Sequence, residues 1–271
     1  MPNVTFPVPR AERLHPLRVL KNATAGLLGR KSVAYLDLYH RVIRRPSFPS
    51  IGHLVQAYAH RRRDLEVRFA QIGANEGSTE DVLYYPIHRY DWRGVLVEPQ
   101  AAEFGRLREN YRTRPAVSCE QAAIVAPGTT APHLHYVVPA AAVPAWASKL
   151  SSFDPAIPAQ VLEHYPDAQL ASHPVRSMTL DALLERHDLQ QLDVLLTDTE
   201  GYDYEILRHV DWDRLRPSLV VFEHRHLSRD DQQALTTTLT ERGYALFSGE
   251  LDTAAFRDEV LLQLYADHLS R

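Results

Sequence analysis

From Asp64 onward, short runs of apolar and β-branched residues alternate with stretches of helical periodicity, and few folds accept that pattern. Strands separated by helices join as βαβ units, which lay the strands parallel and cover both faces of one sheet. The runs Val67–Ile72, Gly94–Val97, Val117–Val125, Leu192–Thr197 and Leu219–Phe222 read as strands. Ser78–Tyr85, Ala101–Tyr111, Thr179–His187, Tyr202–Val210 and Arg229–Arg242 read as helices. Tyr244–Phe247 and Val260–Tyr265 read as closing strands with no helix between them, so they should pair antiparallel. The predicted fold is α/β, a mainly parallel sheet with helices on both faces and a reversed last strand.

Residues 1–63 break this pattern. They carry 12 Lys+Arg against 2 Asp+Glu, whereas residues 64–271 carry 18 against 32, so a basic head of net charge +10 precedes an acidic body of −14. Helical periodicity around Leu17–Tyr39 and Leu54–Arg63, interrupted at Pro46 and Pro49, makes the head a helical N-terminal extension to a main domain over 64–271. A basic head suits nucleic acid or an anionic membrane surface. Yet the chain uses 27 Arg and 3 Lys throughout, and helical arginines commonly pair with acids of a neighbouring domain or subunit. The favoured expectation is therefore docking on the acidic body or on a second copy, giving a homo-oligomer such as a dimer, without nucleic acid. A single cysteine, Cys119, excludes an internal disulfide; no apolar run approaches the roughly 18 residues of a membrane span, and Met1–Arg10 lacks a signal-peptide core. A cytoplasmic protein is expected. Within the main domain, 126–174 is rich in Pro and Ala with little periodicity apart from His133–Val138, and reads as a lid or substrate-pocket insert. Its Trp146, Ser151, Ser152 and Phe153 are candidates to face a substrate.

The turn Gln71-Ile72-Gly73-Ala74-Asn75-Glu76-Gly77-Ser78-Thr79 follows the first strand and precedes a predicted helix. Gly73 and Gly77 permit a tight turn and close approach of a ligand, and a helix N-terminus near Thr79 would face an anionic group. Glu98 ends the second strand, where an acidic residue in doubly wound nucleotide sites accepts both ribose hydroxyls. Turn and acid together indicate an adenosine-containing cofactor. The dinucleotide pattern G-x-G-x-x-G is not met, because Asn75 replaces its second glycine, and no G-K-[ST] occurs. A nucleotide-dependent oxidoreductase is thereby disfavoured, and a ligand without phosphate, such as S-adenosylmethionine, fits better.

The run Gln71–Thr79, then Gly94–Pro99, Ala122-Ala123-Ile124, Arg176–Asp181 and above all Leu195-Leu196-Thr197-Asp198-Thr199-Glu200-Gly201-Tyr202-Asp203-Tyr204-Glu205-Ile206-Leu207 resembles the FkbM-type family of S-adenosylmethionine-dependent methyltransferases, over roughly residues 66–265. The resemblance implies a class I methyltransferase fold, Rossmann-like, with a seven-stranded sheet and a reversed final strand. It also implies methyl transfer, usually to a hydroxyl of a sugar, polyketide or other small molecule. By the motif match, Gly73, Asn75, Gly77 and Thr79 take the methionine side of the cofactor, Glu98 the ribose, and Gln121 and Ala122 the adenine. Gln71 stands where many class I methyltransferases carry an acid.

Asp198 ends the fourth strand, where open α/β sheets keep their ligand crevice, and is the leading catalytic candidate. Glu200, Glu223 and His224 complete the set on this edge. Transfer of a methyl to a hydroxyl needs in-line alignment and a base, for which His224 or a carboxylate would serve. Asp198 and Glu223, with Glu200 as a further ligand, are the candidate set for Mg²⁺. His224 and His226, and likewise His133 and His135, stand two apart, where alternate strand residues share a face; such pairs are more often ordinary surface or edge residues. The rival reading from another class is a non-catalytic ligand-binding or scaffold module of the same fold.

Overall fold

The computed structural model describes residues 50–265, apart from 142, 145, 260 and 264. The expected helix around Leu17–Tyr39, and with it most of the basic extension, lies outside the described residues. The first described helix, α1 (Ile51–Arg61), is followed by β1 (Arg68–Ile72), α2 (Tyr84–Tyr90), β2 (Arg93–Val97), α3 (Ala101–Tyr111), β3 (Val117–Glu120) and β4 (Ala123–Ile124). An inserted region carries β5 (His133–Val137), β6 (Ser151–Ser152), the short α4 (Ala156–Ala159) and β7 (Leu170–Pro174). The chain then resumes with β8 (Ser177–Met178), α5 (Leu180–Arg186), β9 (Val194–Thr197), α6 (Asp203–Leu207), α7 (Trp212–Leu215), β10 (Leu219–Glu223), α8 (Arg229–Glu241), β11 (Ala245–Ser248) and β12 (Asp252–Phe256).

Seven strands form one sheet in the order β11-β12-β10-β9-β1-β2-β3. All pairs are parallel except those of β12, which runs antiparallel to both β10 and β11. The central strands β9 and β10 are buried along their whole length, as strands covered by helices on both faces must be. The chain builds outward from β1 through β2 to β3, then returns to place β9 on the other side of β1. That reversal opens a crevice beyond the carboxyl ends of β1 and β9, where such sheets bind ligands.

Three boundaries differ from expectation. The helix read from Ser78 starts at Tyr84, because Asp81 folds an Asx turn that accepts the Leu83 N–H at 2.8 Å and sets the helix entry there. The third strand is broken: β3 stays in the main sheet, but β4 pairs with β8, leaving Gln121 in the gap. The reversed strand is Asp252–Phe256, not Val260–Tyr265; residues 259, 261–263 and 265 are helical, with Asp258 accepting the Leu261 N–H at 3.3 Å. Small residues hid the true strand, since Ala254 and Ala255 are fully buried but add little to an apolar run.

The sequence reading groups α1 with the extension, yet the structure packs it against α2 and β12. Leu54, Val55, Tyr58 and Ala59 are completely buried, Tyr58 meets Trp92 edge-on at 6.1 Å, and its hydroxyl pairs with Ser218 Oγ at 2.7 Å. Arg62 reaches Asp258 at 3.2 Å and Asp193 at 3.5 Å. Each large apolar side chain contributes about 1.5–3 kcal/mol on burial, against about 1 kcal/mol or less for a solvent-screened ion pair. The apolar face, more than the arginine, holds α1 in place.

The insert is a small folded layer. β6, β5 and β7 form an antiparallel sheet over a core of Val137, Val143, Ala147, Val161 and Ala168. Among the described residues, no helix is long and apolar enough to cross a membrane.

Candidate active site

The glycine turn is stitched to both strands that flank β1. The N–H groups of Gly73 and Ala74 donate to the Val97 carbonyl at 3.0 and 2.9 Å, and the Asp198 N–H donates to the Ile72 carbonyl at 2.9 Å. Gly73 has φ +80°, and a Cβ there would lie 1.8 Å from the Asp198 carbonyl oxygen, so only glycine lets the ends of β1 and β9 approach this closely. Asn75, at φ +51°, donates its N–H to Glu98 Oε2 at 2.9 Å, and the Gln100 N–H reaches Glu98 Oε1 at 2.8 Å. Burial pushes the Glu98 carboxyl up to about 7, against these two bonds and with the charges of Glu103 and Glu76 adding to the rise.

Two adjoining cavities occupy the crevice. The first, of about 630 Å³, is walled by the turn, by Glu98, by Ala122, Ala123 and Ile124, and by Leu134, Ser151 and Phe153 of the insert. The second, of about 930 Å³, is walled by Gln71, Thr79 and Asp81 among others, with Trp146 of the insert. Gly73, Asn75, Lys149 and Asp198 belong to both.

Most of the expected cofactor residues thus meet. Gly73, Asn75, Glu98 and Ala122 wall the first cavity; Gln71 and Thr79 wall the second. Gly77 is in neither wall; its carbonyl accepts the Tyr111 hydroxyl at 2.9 Å and ties the turn to α3. Gln121 is exposed and also in neither. With α2 beginning at Tyr84, no helix N-terminus faces a ligand at Thr79, whose N–H donates instead to Glu76 Oε1 at 3.0 Å.

The cationic group at this place is Lys149, paired with Glu76. Burial alone would raise Glu76, but hydrogen bonds from Lys149 and Thr79, with the lysine charge, hold it at about 2. Sequence reasoning passed over Lys149, although it is the only lysine between residues 64 and 271 of an arginine-rich chain. The insert is anchored beside it: Gln100 Nε2 donates to the Lys149 carbonyl at 3.2 Å and to Ser151 Oγ at 3.1 Å. Ser152 Oγ donates to the Glu200 carbonyl at 2.6 Å. Phe153 meets Tyr202 edge-on at 4.9 Å, both in the cavity wall.

The Asp-Thr-Glu-Gly block caps β9 with a turn held by Asp203, whose fully buried carboxylate accepts from the Thr199 N–H at 3.2 Å and the Thr199 hydroxyl at 2.7 Å. This leaves Asp198 open to both cavities, and among the described residues its carboxylate makes no hydrogen bond. Asp198 is exposed to the crevice, yet the protein crowded around its carboxyl, with the charges of Glu200, Asp203, Asp252 and Asp81, holds it above the usual carboxylate range. Glu223 is likewise raised, by burial first and then by Glu200, Asp198, Asp203 and Asp252.

The two histidines of this edge diverge. His224 turns away to Thr253, its Nδ1 3.0 Å from Thr253 Oγ1, is held below the usual imidazole range by burial, and walls neither cavity. His226 turns toward the acids, with Nε2 3.1 Å from Glu200 and 3.9 Å from Glu223. Among the described residues, the ligand atoms of Glu200, Glu223 and His226 converge, and Asp198, expected beside Glu223 in a metal set, is not in that group. The i, i+2 spacing held the only signal for His226, and the break in β10 after Glu223 is what separates the pair.

The methyltransferase FkbM domain model matches residues 71–246, which is 176 of the 271 residues. No curated protein resembles the chain closely enough in sequence to count as a relative. Similar solved structures include the precorrin-6y C5,15-methyltransferase from Geobacter metallireducens, 14% identical over 79% of this chain and 93% of that one, with a TM-score of 0.40. The human methyltransferase 10 domain containing protein is 12% identical over 89% of this chain and 94% of its own, at 0.41. The N-terminal domain of human METTL16 in complex with SAH is 13% identical over 87% and 82%, at 0.39. The motif match from Gln71 through the Asp-Thr-Glu-Gly block, on a sheet of this order, gives the conclusion: the chain belongs to the FkbM family of S-adenosylmethionine-dependent methyltransferases.

Proposed function

We propose that the chain transfers the methyl group of S-adenosylmethionine to a hydroxyl of a small molecule or glycan, with Asp198 as the base. The carrying observation is the Asp198 carboxylate, free of hydrogen bonds where the two cavities meet. The surrounding residues fit the cofactor. Glu98 presents a buried carboxylate whose two oxygens each accept one N–H and retain a lone pair for a ribose hydroxyl. Ala122, Ala123 and Ile124 offer an apolar wall for the adenine. Gln71 Oε1 is buried without a partner in the wall of the second cavity, a vacancy for a donor such as an α-amino group. Lys149 is the cation placed for a carboxylate. S-adenosylmethionine supplies a methyl carbon activated by its sulfonium.

Asp198 then has one task. It takes the hydroxyl proton as the acceptor oxygen bonds to the methyl carbon and the carbon–sulfur bond breaks, leaving methyl ether, S-adenosylhomocysteine and a proton. A carboxylate held above the ordinary range is a stronger base than an ordinary one, which supports this role. Phe153 of the insert and Tyr202 after β9 meet edge-on and give the first cavity an aromatic lining. A screen of hydroxylated acceptors, read by release of S-adenosylhomocysteine, tests the reading. Turnover with a hydroxyl acceptor that Asp198→Asn abolishes while S-adenosylhomocysteine still binds is expected; turnover restricted to nitrogen or carbon acceptors contradicts O-methylation.

A further inference from the structure

We propose that Glu200, Glu223 and His226 form a binding site for a divalent transition-metal ion of the Mn²⁺ or Fe²⁺ type. Among the described residues they are the one group of three or more His, Cys, Asp or Glu side chains whose ligand atoms gather, all within 4.8 Å of one another. Ligands at about 2.1 Å from an ion, set at right angles, stand about 3 Å apart. The 3.1 Å between His226 Nε2 and Glu200 Oε2 already matches that spacing, and the 3.9 Å to Glu223 Oε1 needs a small closure.

A second observation is independent of the clustering. The Glu223 side chain is 7% exposed and its Oε2 is buried without any hydrogen-bond partner, on the same carboxyl group that faces His226. Burying an unsatisfied carboxyl oxygen beside other acids is unfavourable, and a dication at this place removes the penalty. The ligands are also held in place. Glu200 sits at φ +52° and Gly201 at φ +100°, and a Cβ on Gly201 would lie 2.7 Å from Ile157 Cδ1 and 3.4 Å from His226 Cβ, so the turn is pressed against the histidine. An imidazole nitrogen with two carboxylates favours Mn²⁺ or Fe²⁺ over Mg²⁺, which prefers oxygen ligands throughout.

The site stands on this geometry; its part in the reaction rests on the methyl-transfer reading. Glu200 is also a wall of the first cavity, so the ion's charge would act at the margin that an acceptor hydroxyl approaches, and favour loss of its proton.

The test uses the full chain, stripped with chelator and titrated with Mn²⁺ without cofactor or acceptor, so that a failure of methyl transfer is recorded separately. Electron paramagnetic resonance should show one bound ion per chain with nitrogen modulation from an imidazole. Binding should weaken at least ~10-fold in both His226→Gln and Glu200→Gln, with the nitrogen signal lost in the former. Asp198→Asn should keep the nitrogen signal. Glu200 is partly exposed, so its variant leaves the core intact, and coincident thermal melts would verify this. Absence of Mn²⁺ binding by the unaltered chain, or a nitrogen signal that survives His226→Gln, would overturn the proposal.

Discussion

Gly73→Ala puts the close approach of β1 and β9 to a direct test. The added Cβ would lie 1.8 Å from the Asp198 carbonyl oxygen and 2.7 Å from its carbon, both backbone atoms that cannot rotate away. The residue would also have to hold φ +80°, which costs an L-residue about 1–2 kcal/mol. Forcing a methyl into packed surroundings adds about 1–3 kcal/mol. The sum is near ~3.5 kcal/mol, and at roughly 2–4 °C per kcal/mol for a domain of this size the melting temperature should fall by about 10 °C. Differential scanning calorimetry measures the shift. Relief of the clash must move Asp198 or the turn, so S-adenosylhomocysteine affinity should fall as well. A melt within about 2 °C of the parent, with unchanged affinity, would show that the two strand ends are not locked together as described.

Other consequences follow from the same geometry. Glu98→Ala should weaken S-adenosylhomocysteine binding at least ~10-fold through loss of charge-assisted hydrogen bonds, measured by calorimetric titration; equal affinity would remove Glu98 from the ribose site. Tyr58→Phe, which loses only the bond to Ser218, should cost about 1 kcal/mol in urea unfolding, and Tyr58→Ala about 3–5 kcal/mol; near-zero values for both would detach α1 from the body. Glu98 rises from 4.5 to about 7 on folding, and Asp81 and Asp252 from 3.8 to about 6, so the folded state binds more protons in that window. Their contribution to stability is present below about pH 4 and lost as pH rises through 7. Urea midpoints of the ligand-free chain should therefore be lower at pH 7.5 than at pH 5, and the difference should shrink in Glu98→Gln; a midpoint that rises with pH would contradict the burial of these acids.

The parts of the fold legible in the sequence are those with local causes. β1, β2, β9 and β10 are apolar because helices cover both faces, and Gly73 and Glu98 stand at strand ends where only a turn or a ligand explains them. β12 escaped because its buried alanines do not raise an apolar run, while the apolar run read over Val260–Tyr265 is helical at its described residues 261–263 and 265. The start of α2 depended on an Asx turn at Asp81, which competes with helix continuation from Ser78. At the site, Asp198 and Glu200 follow from one motif, but Lys149 and His226 arrive from an insert and from the loop after β10, and no short-range pattern ties them to the turn. Their contribution is a long-range property of the packed chain.

The central claim is that the crevice beyond β1 and β9 binds S-adenosylmethionine. Calorimetric titration of the full chain with S-adenosylhomocysteine, with NAD(H) as the comparison ligand, addresses it most directly. One S-adenosylhomocysteine per chain, weakened by Glu98→Ala, and no heat from NAD(H) are the expected results. Binding of NAD(H) without S-adenosylhomocysteine, or of neither, would contradict the account.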